Sequence, residues 1–315
     1  MKKVLITGGL GLIGSSIAKK IINEGYEVII IDNKSTNITS TIDGAEIIEA
    51  DLTKNDALES IKLSQVDTML HLAGQSSGPK SYEEPYQDVK DNVLGTINAL
   101  RFCGANNIGR IVFASSFAVY GDPVGKEIFT EEDSCNPLSV YGTSKYACEK
   151  YIKILSKKFN LTYDMLRMFN VYGPGQDLGR KDQGIVSIFL SYVREGNYIP
   201  VMGSLKRFRD LVYIDDVVDG WIACLKNEKS KNEIYNLGSG KKSYVGDLIE
   251  KLIQVEGKKG EVKVEEVGVT PGDLMGSYAN MSKMKNSLGF TAQTNLDEGL
   301  LRFKKWADEI SPIAD

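Results

Sequence analysis

Histidine is almost missing from this chain: His71 is the only one in 315 residues. A lone histidine cannot build the usual multi-histidine metal site, so metal catalysis is disfavoured and His71 reads as structural. Cysteine is sparse as well. Cys103, Cys135, Cys148 and Cys224 are scattered with no CxxC pair, which suggests neither a zinc site nor a disulfide framework and fits reduced thiols in a cytoplasm. An excess of basic charge is also lacking. The formal net charge of -4 offers no field for a nucleic-acid backbone, and no Lys/Arg run suits an anionic membrane surface. No apolar stretch could span a bilayer. The apolar run 4–6 is cut at once by Thr7-Gly8-Gly9, too early for a secretion signal. A small-molecule partner is what these absences leave. Apolar residues at 42% and charged residues at 25% are ordinary for a globular protein that buries a sizeable core.

The length fits about two domain-sized units, or one large α/β domain carrying a smaller cap. In the first half, short runs rich in Val, Ile and Leu alternate with helical stretches. Strands are expected at 3–7, 27–31, 46–50, 68–72 and 110–114. Between the first two, Ile13, Ile17 and Ile21 recur every four residues, one apolar stripe of a helix facing a sheet. Later strand-like runs at 162–169 and 233–237 are separated by loop-rich sequence around Gly173-Pro174-Gly175 and Gly203-Ser204. Helical patches at 245–255 and 297–310 lie in a more polar tail.

Gly8, Gly11 and Gly14 follow the first strand and open the first helix. A chain that turns sharply beneath a pyrophosphate has no room for side chains there, and the helix N-terminus offers free N–H groups to the phosphates. Asp32, at the end of the next strand, can accept both ribose hydroxyls of an adenosine and would repel a 2′-phosphate, so NAD is expected rather than NADP. The fold read from this is α/β, a Rossmann-type doubly wound parallel sheet. Residues 1–168 form the NAD-binding domain, with a returning strand near 233–237. Residues 169–315 form a smaller α/β substrate-binding region interleaved with it.

Tyr141-Gly142-Thr143-Ser144-Lys145 places a phenol and an ammonium four residues apart, on one face of a helix. The cation favours phenolate and is expected to lower the tyrosine pKa towards working pH, making Tyr141 a base for a hydroxyl proton. Alone, that spacing is commonplace, and its weight comes from its company.

With these motifs the chain resembles the extended short-chain dehydrogenases/reductases that act on nucleotide sugars, the NAD-dependent epimerase/dehydratase family. The resemblance runs over nearly the whole chain. It is carried by 7–14, Asp51-Leu52, His71-Leu72-Ala73-Gly74, Asn92-Val93-Leu94-Gly95-Thr96, 115–121, 141–145, 166–173 and 209–216. It implies that Tyr141 takes the proton of a sugar hydroxyl as hydride leaves the same carbon for NAD. Lys145 would hold the nicotinamide ribose and Ser116 the reacting oxygen. Ser115 and Ser116 could instead simply satisfy a strand end. The cofactor side would be lined by Leu12, Ile13, Asn33, Asp51, Leu52, Leu72, Ala73, Gly74 and Asn92, besides the glycines and Asp32. On the substrate side the resemblance points to Asn170, to Arg209 at the diphosphate and to Asp273 in Pro271-Gly272-Asp273. It also implies a homodimer through helices near 91–103 and 144–158.

Family dehydratases usually carry an Asp-Glu pair just after the catalytic Ser/Thr. Here Phe117-Ala118 stands in that place, and neither side chain can exchange a proton. What remains is oxidation at one sugar carbon and return of the hydride. Return to the other face makes a 4-epimerase, with UDP-hexoses as first candidates and a role in carbohydrate biosynthesis. An NAD(H)-dependent 4-keto-sugar reductase or sugar 4-dehydrogenase would use the same residues, and a non-catalytic NAD-binding sensor would keep only the fold. The chain departs from the family pattern at Thr270, where an arginine is common, and at Asn280, in place of a later Asp. Both positions bear on which nucleotide is held.

Overall fold

Val4 and Ile6 turn to one side of their strand and Leu5 to the other, and all three are at most 1% exposed. A strand buried on both sides needs helices above and below it, as in a parallel sheet built from βαβ units. The computed structural model, which describes residues 2–35, 39–122, 125–196, 198–227, 230–268 and 275–310, has that architecture. Its main sheet consists of β1 (Lys3–Thr7), β2 (Glu27–Asp32), β3 (Ala45–Glu49), β4 (Val66–His71), β5 (Arg110–Ser116), β6 (Thr162–Met168) and β7 (Glu233–Leu237). Their spatial order is β7-β6-β5-β4-β1-β2-β3, with every neighbouring pair parallel. The order reverses at β1, flanked by β2 and β4, and that is where a doubly wound sheet opens its crevice.

Strand ends move by one or two residues from the sequence expectation. Leu72 falls outside β4 because pairing with β1 stops at His71 opposite Thr7. β5 runs on to Ser116 because it stays paired with β6 as far as Met168. The stripe Ile13, Ile17 and Ile21 lies on α1 (Leu12–Asn23), with Ile17 and Ile21 wholly buried. Helices α1 and α4 (Ile214–Lys226) cover one face of the sheet. Helices α2 (Gly95–Ala105) and α3 (Val140–Phe159) cover the other.

The second half builds smaller units beyond the carboxyl ends of the main strands. Asn170–Tyr172 pairs with Leu211–Tyr213, and Tyr198–Val201 with Lys263–Glu266. Phe208–Arg209 lies between Ser243–Tyr244 and Gly276–Ala279, and the last of these reaches Ile128–Phe129. Each half thus lends a strand to the other: β7 completes the main sheet, and Ile128–Phe129 joins the small one. No helix among the described residues is long and apolar enough to cross a membrane.

Candidate active site

The crevice starts at the turn after β1. Gly8 has φ +68, and a Cβ there would lie 2.6 Å from the Ala73 amide nitrogen. A Cβ on Gly14 would collide with Gly8 O and come within 2.8 Å of Gly9 Cα. Protein packing therefore explains both glycines. Gly11 is different, since a Cβ there would meet only Gly8 O, at 3.4 Å. A ligand passing over the turn accounts for a glycine at that position where the protein does not. Gly11 is also the N-cap of α1 and offers no side-chain cap. The amides of Leu12, Ile13 and Gly14 lack intrahelical partners by geometry and stay available to an anion.

Asp32 ends β2 beside this turn, 9% exposed. Leu10 N donates to one carboxylate oxygen at 3.0 Å and Lys34 N to the other at 2.7 Å. The carboxylate is held in place while keeping lone pairs for vicinal hydroxyls. Asn33 is exposed and its side chain accepts from Ser35 N. Asp51 accepts from the amide and hydroxyl of Thr53, and Leu52 is buried with its carbonyl accepting from Asn98 Nδ2. Leu72, Ala73 and Gly74 follow β4 at the mouth of the crevice. Asn92 sits on a π-helical turn, Lys90–Leu94, and is 1% exposed. A Cβ on Gly74 would touch its Oδ1 at 2.5 Å and Lys145 Nζ at 3.6 Å. Turn, carboxylate and helix N-terminus together fit a dinucleotide.

Ser116, Tyr141 and Lys145 converge on the same crevice. Ser116 ends β5, and its hydroxyl accepts from Ala118 N at 3.2 Å while hydrogen-bonding the Tyr141 phenol. Tyr141 lies in the first turn of α3, which is capped by Ser139 Oγ accepting from Gly142 N at 3.0 Å. Gly142 sets how closely the helix approaches Ser116, since a Cβ there would lie 2.5 Å from Ala118 O. One turn later Lys145, 4% exposed, holds its ammonium 5.1 Å from the Phe113 ring centre and 5.8 Å from that of Tyr141.

One expectation about this pair is corrected. The Tyr141 phenol is pushed up to about 12, first by burial, against the hydrogen bond from Ser116, and Lys145 is not among the causes. Burial also lowers Lys145 itself. Among these protein groups, the cost of desolvating a phenolate outweighs the Ser116 hydrogen bond that favours it.

Two features escaped the motif reading. Asp88, 1% exposed, accepts from Gln75 Nε2 at 2.8 Å and Asn92 Nδ2 at 3.1 Å, and its charge acts on Tyr141 and Lys145. Behind Ser116, Ser115 Oγ donates to Glu149 Oε1 at 2.6 Å, and Glu149 takes Arg167 Nε at 2.9 Å and Nη2 at 2.8 Å. Glu149 continues the Tyr141, Lys145 stripe by one more turn of α3, which was the available signal. The network fastens the helix bearing Tyr141 to the strand bearing Ser116. Phe117 and Ala118 are packing groups. Phe117 stacks on Phe169 with ring centres 5.3 Å apart, and the Ala118 carbonyl abuts Gly142.

On the substrate side, Asn170 Nδ2 donates to the Asp210 carbonyl at 3.0 Å, which places it beside Arg209. Asp210 is fully buried and accepts from Ser239 N, Ser239 Oγ, Gly240 N and Ala279 N. Asp273 lies outside the described residues.

Known proteins share this fold. Residues 4–238 match the model of the NAD dependent epimerase/dehydratase family. A Methanocaldococcus jannaschii protein provisionally named UDP-glucose 4-epimerase is 37% identical over 305 residues, covering 96% of this chain and 97% of its own. The structure of Thermotoga maritima UDP-glucose 4-epimerase with UDP-glucose superposes with a TM-score of 0.91 at 30% identity, covering 98% of this chain and 99% of that one. A Methanobrevibacter ruminantium UDP-N-acetylglucosamine 4-epimerase, in complex with UDP-N-acetylmuramic acid, gives 0.89 at 30% identity, with the same coverage. The glycine turn, Asp32 and the Ser116, Tyr141, Lys145 cluster thus lie within a likeness that spans the chain, and this protein belongs to the NAD dependent epimerase/dehydratase family.

Proposed function

We propose that this chain is an NAD-dependent nucleotide-sugar 4-epimerase, with UDP-hexoses as its first substrate class and a place in carbohydrate biosynthesis. The observation that carries the reading is the pair of residues after Ser116. The acid and base needed to eliminate water are replaced by a stacked Phe117 and by Ala118 packed on Gly142, so only a single hydroxyl can exchange its proton here. NAD, when bound, supplies the hydride-accepting ring and a positive charge near the phenol. Tyr141 takes the C4 hydroxyl proton and gives it back after the keto sugar has turned over. Ser116 hydrogen-bonds both the phenol and the reacting oxygen, and Lys145 orients the nicotinamide ribose. Gly8, Gly11, Leu12, Ile13 and Gly14 hold the pyrophosphate and Asp32 the adenosine ribose. Asn33, Asp51, Leu52, Leu72, Ala73, Gly74 and Asn92 line the rest of the cofactor site. Asn170, Arg209 and Asp273 serve the nucleotide, mainly within 169–315. The relatives described above are named for UDP sugars, and two of them hold a UDP sugar in their structures, which supports the choice of nucleotide.

The working form we propose is a cytoplasmic homodimer. Tyr86, Val89 and Leu94 on the helical stretch before α2, and Tyr151 and Ile154 on α3, are exposed apolar residues, Tyr86 at 82% and Ile154 at 65%. Such a patch suits self-association. The four cysteines are free thiols.

The test is proton NMR of the purified protein with UDP-hexoses and no added cofactor. A new anomeric signal that reaches equilibrium is the expected result. Conversion only with stoichiometric use of NAD or NADH would replace the epimerase by a dehydrogenase or reductase.

A further inference from the structure

The backbone of Tyr141 is held from outside its own helix. Its amide is the second of α3 and has no intrahelical partner, and the N-cap Ser139 takes the amide of Gly142 instead. Tyr141 N donates to Ser81 Oγ at 3.1 Å. Ser81 is wholly buried on the short helix Gly78–Glu83, and its one hydroxyl proton goes to Gly78 O at 2.6 Å. With that proton committed, the hydroxyl presents only lone pairs to Tyr141 N. The next residue takes a second hold. Tyr82 donates its phenol proton to Leu138 O at 2.7 Å, one residue before the cap.

The short helix is itself anchored. Ser77 caps it by accepting from Lys80 N at 3.2 Å, and donates to Asp182 O at 3.2 Å. Gln75 Nε2 donates to Ser77 O at 2.9 Å, and Gln183 Nε2 to Ser76 Oγ at 2.7 Å. A separate support meets the next residue of α3, where a Cβ on Gly142 would lie 2.5 Å from Ala118 O. The start of α3 is thus gripped at Leu138 and Tyr141 by one element and confined at Gly142 by another. The first of these elements has no part in the motifs that mark the site.

We propose that Ser81 and Tyr82 are positioning residues for Tyr141: through the backbone of residues 138–141 they set where its phenol stands relative to Ser116 and the reacting hydroxyl. They act by placement, bringing no charge to the site. The proposal rests on the reading of Tyr141 as the base in a nucleotide-sugar epimerase. A displacement of about 1 Å in a reacting group can cost about 10²-fold in rate while the pocket still binds substrate. Loss of the brace therefore belongs in kcat and leaves KM in place.

The experiment compares Ser81→Ala and Tyr82→Phe with wild type, and repeats Ser81→Ala in the Tyr141→Phe background, following nucleotide-sugar turnover, KM and NAD affinity. Ser81→Ala is expected to lower kcat by about tenfold or more, with KM and NAD affinity kept. In the Tyr141→Phe background, which has lost the group being placed, the same change should take nothing further from the residual turnover. An unchanged kcat in Ser81→Ala overturns the proposal. An equal loss with and without the Tyr141 hydroxyl also overturns it, because that marks general damage to the site. If Ser81→Ala does not fold, Tyr82→Phe decides: its side chain is 44% exposed, and kcat should fall by about threefold at constant KM, an unchanged kcat overturning the proposal. A wild type that converts no nucleotide sugar, or a Tyr141→Phe variant that converts it at the wild-type rate, overturns the functional reading itself, and this proposal with it.

Discussion

His71 Nδ1 lies 2.7 Å from the Thr7 hydroxyl, joining the end of β4 to the end of β1 at the floor of the crevice. Its Nε2 lies 3.1 Å from Thr96 Oγ1 on α2, and the ring is wholly buried. Neutral imidazole suits this position, one nitrogen donating and the other accepting. Burial and the Lys145 charge lower its pKa to about 3. In the unfolded chain it titrates near its ordinary 6.5, so between these values the unfolded state binds the extra proton. Stability from His71 is therefore complete above about pH 6.5 and is lost as pH falls towards 3. Wild type should lose on the order of 1.5–2 kcal/mol more than His71→Gln between pH 6.5 and 5. Equilibrium urea unfolding at the two pH values measures the difference, and parallel losses in the two proteins would refute the assignment.

Gly11 and Gly14 separate binding from folding. A methyl group at Gly11 meets only Gly8 O, at 3.4 Å, whereas at Gly14 it collides with the backbone of Gly8 and Gly9. Gly11→Ala is expected to keep the cofactor-free melting temperature while weakening NAD by about tenfold or more, since the methyl stands where the pyrophosphate approaches the helix. Gly14→Ala should lower the melting temperature itself, because α1 must move off β1. Normal NAD affinity in Gly11→Ala would remove the pyrophosphate from this turn.

The Glu149–Arg167 pair, 2% and 4% exposed, predicts a large stability effect away from any ligand. Glu149→Ala leaves a buried guanidinium uncompensated and should cost about 3–5 kcal/mol. A loss below about 1 kcal/mol, the level of an ordinary surface change, would show that the pair is not holding α3 to the sheet. Because Ser115 bonds the same carboxylate, the variant should also lose turnover while still binding NAD.

The parts legible in the sequence are those with a local period or a fixed local geometry. Ile17 and Ile21 show the face of α1, the glycines show the turn, and alternating apolar runs show the sheet. Tyr141 and Lys145 are one helical turn apart, so their convergence follows from spacing alone. The Tyr141 pKa does not, because it is set by burial that only the packed crevice creates. Glu149 and Arg167 meet because β6 lies beside β5 under α3, a relation no local pattern encodes. Asp88 lies inside a helix where a carboxylate reads as surface, and only its contacts with Gln75 and Asn92 reveal it as buried.

Tyr141 and Ser116 can be told apart by pH. If Tyr141 is the base, Tyr141→Phe should retain NAD binding and lose about 10²- to 10⁴-fold in turnover, with the acidic limb of the pH profile abolished. Ser116 plays a different part: its hydrogen bond favours phenolate and works against the burial that pushes the phenol up to about 12. Removing it in Ser116→Ala raises the phenol's pKa further, so a base that must be deprotonated reaches its active form only at higher pH. The acidic limb of kcat/KM should then move to higher pH than in wild type, with activity partly recovered as pH rises. A rate loss of the same factor at every pH would mean that Ser116 holds the sugar oxygen without tuning Tyr141. A shift to lower pH would remove Tyr141 from the base role, since loss of a bond that favours phenolate cannot make the phenol more acidic.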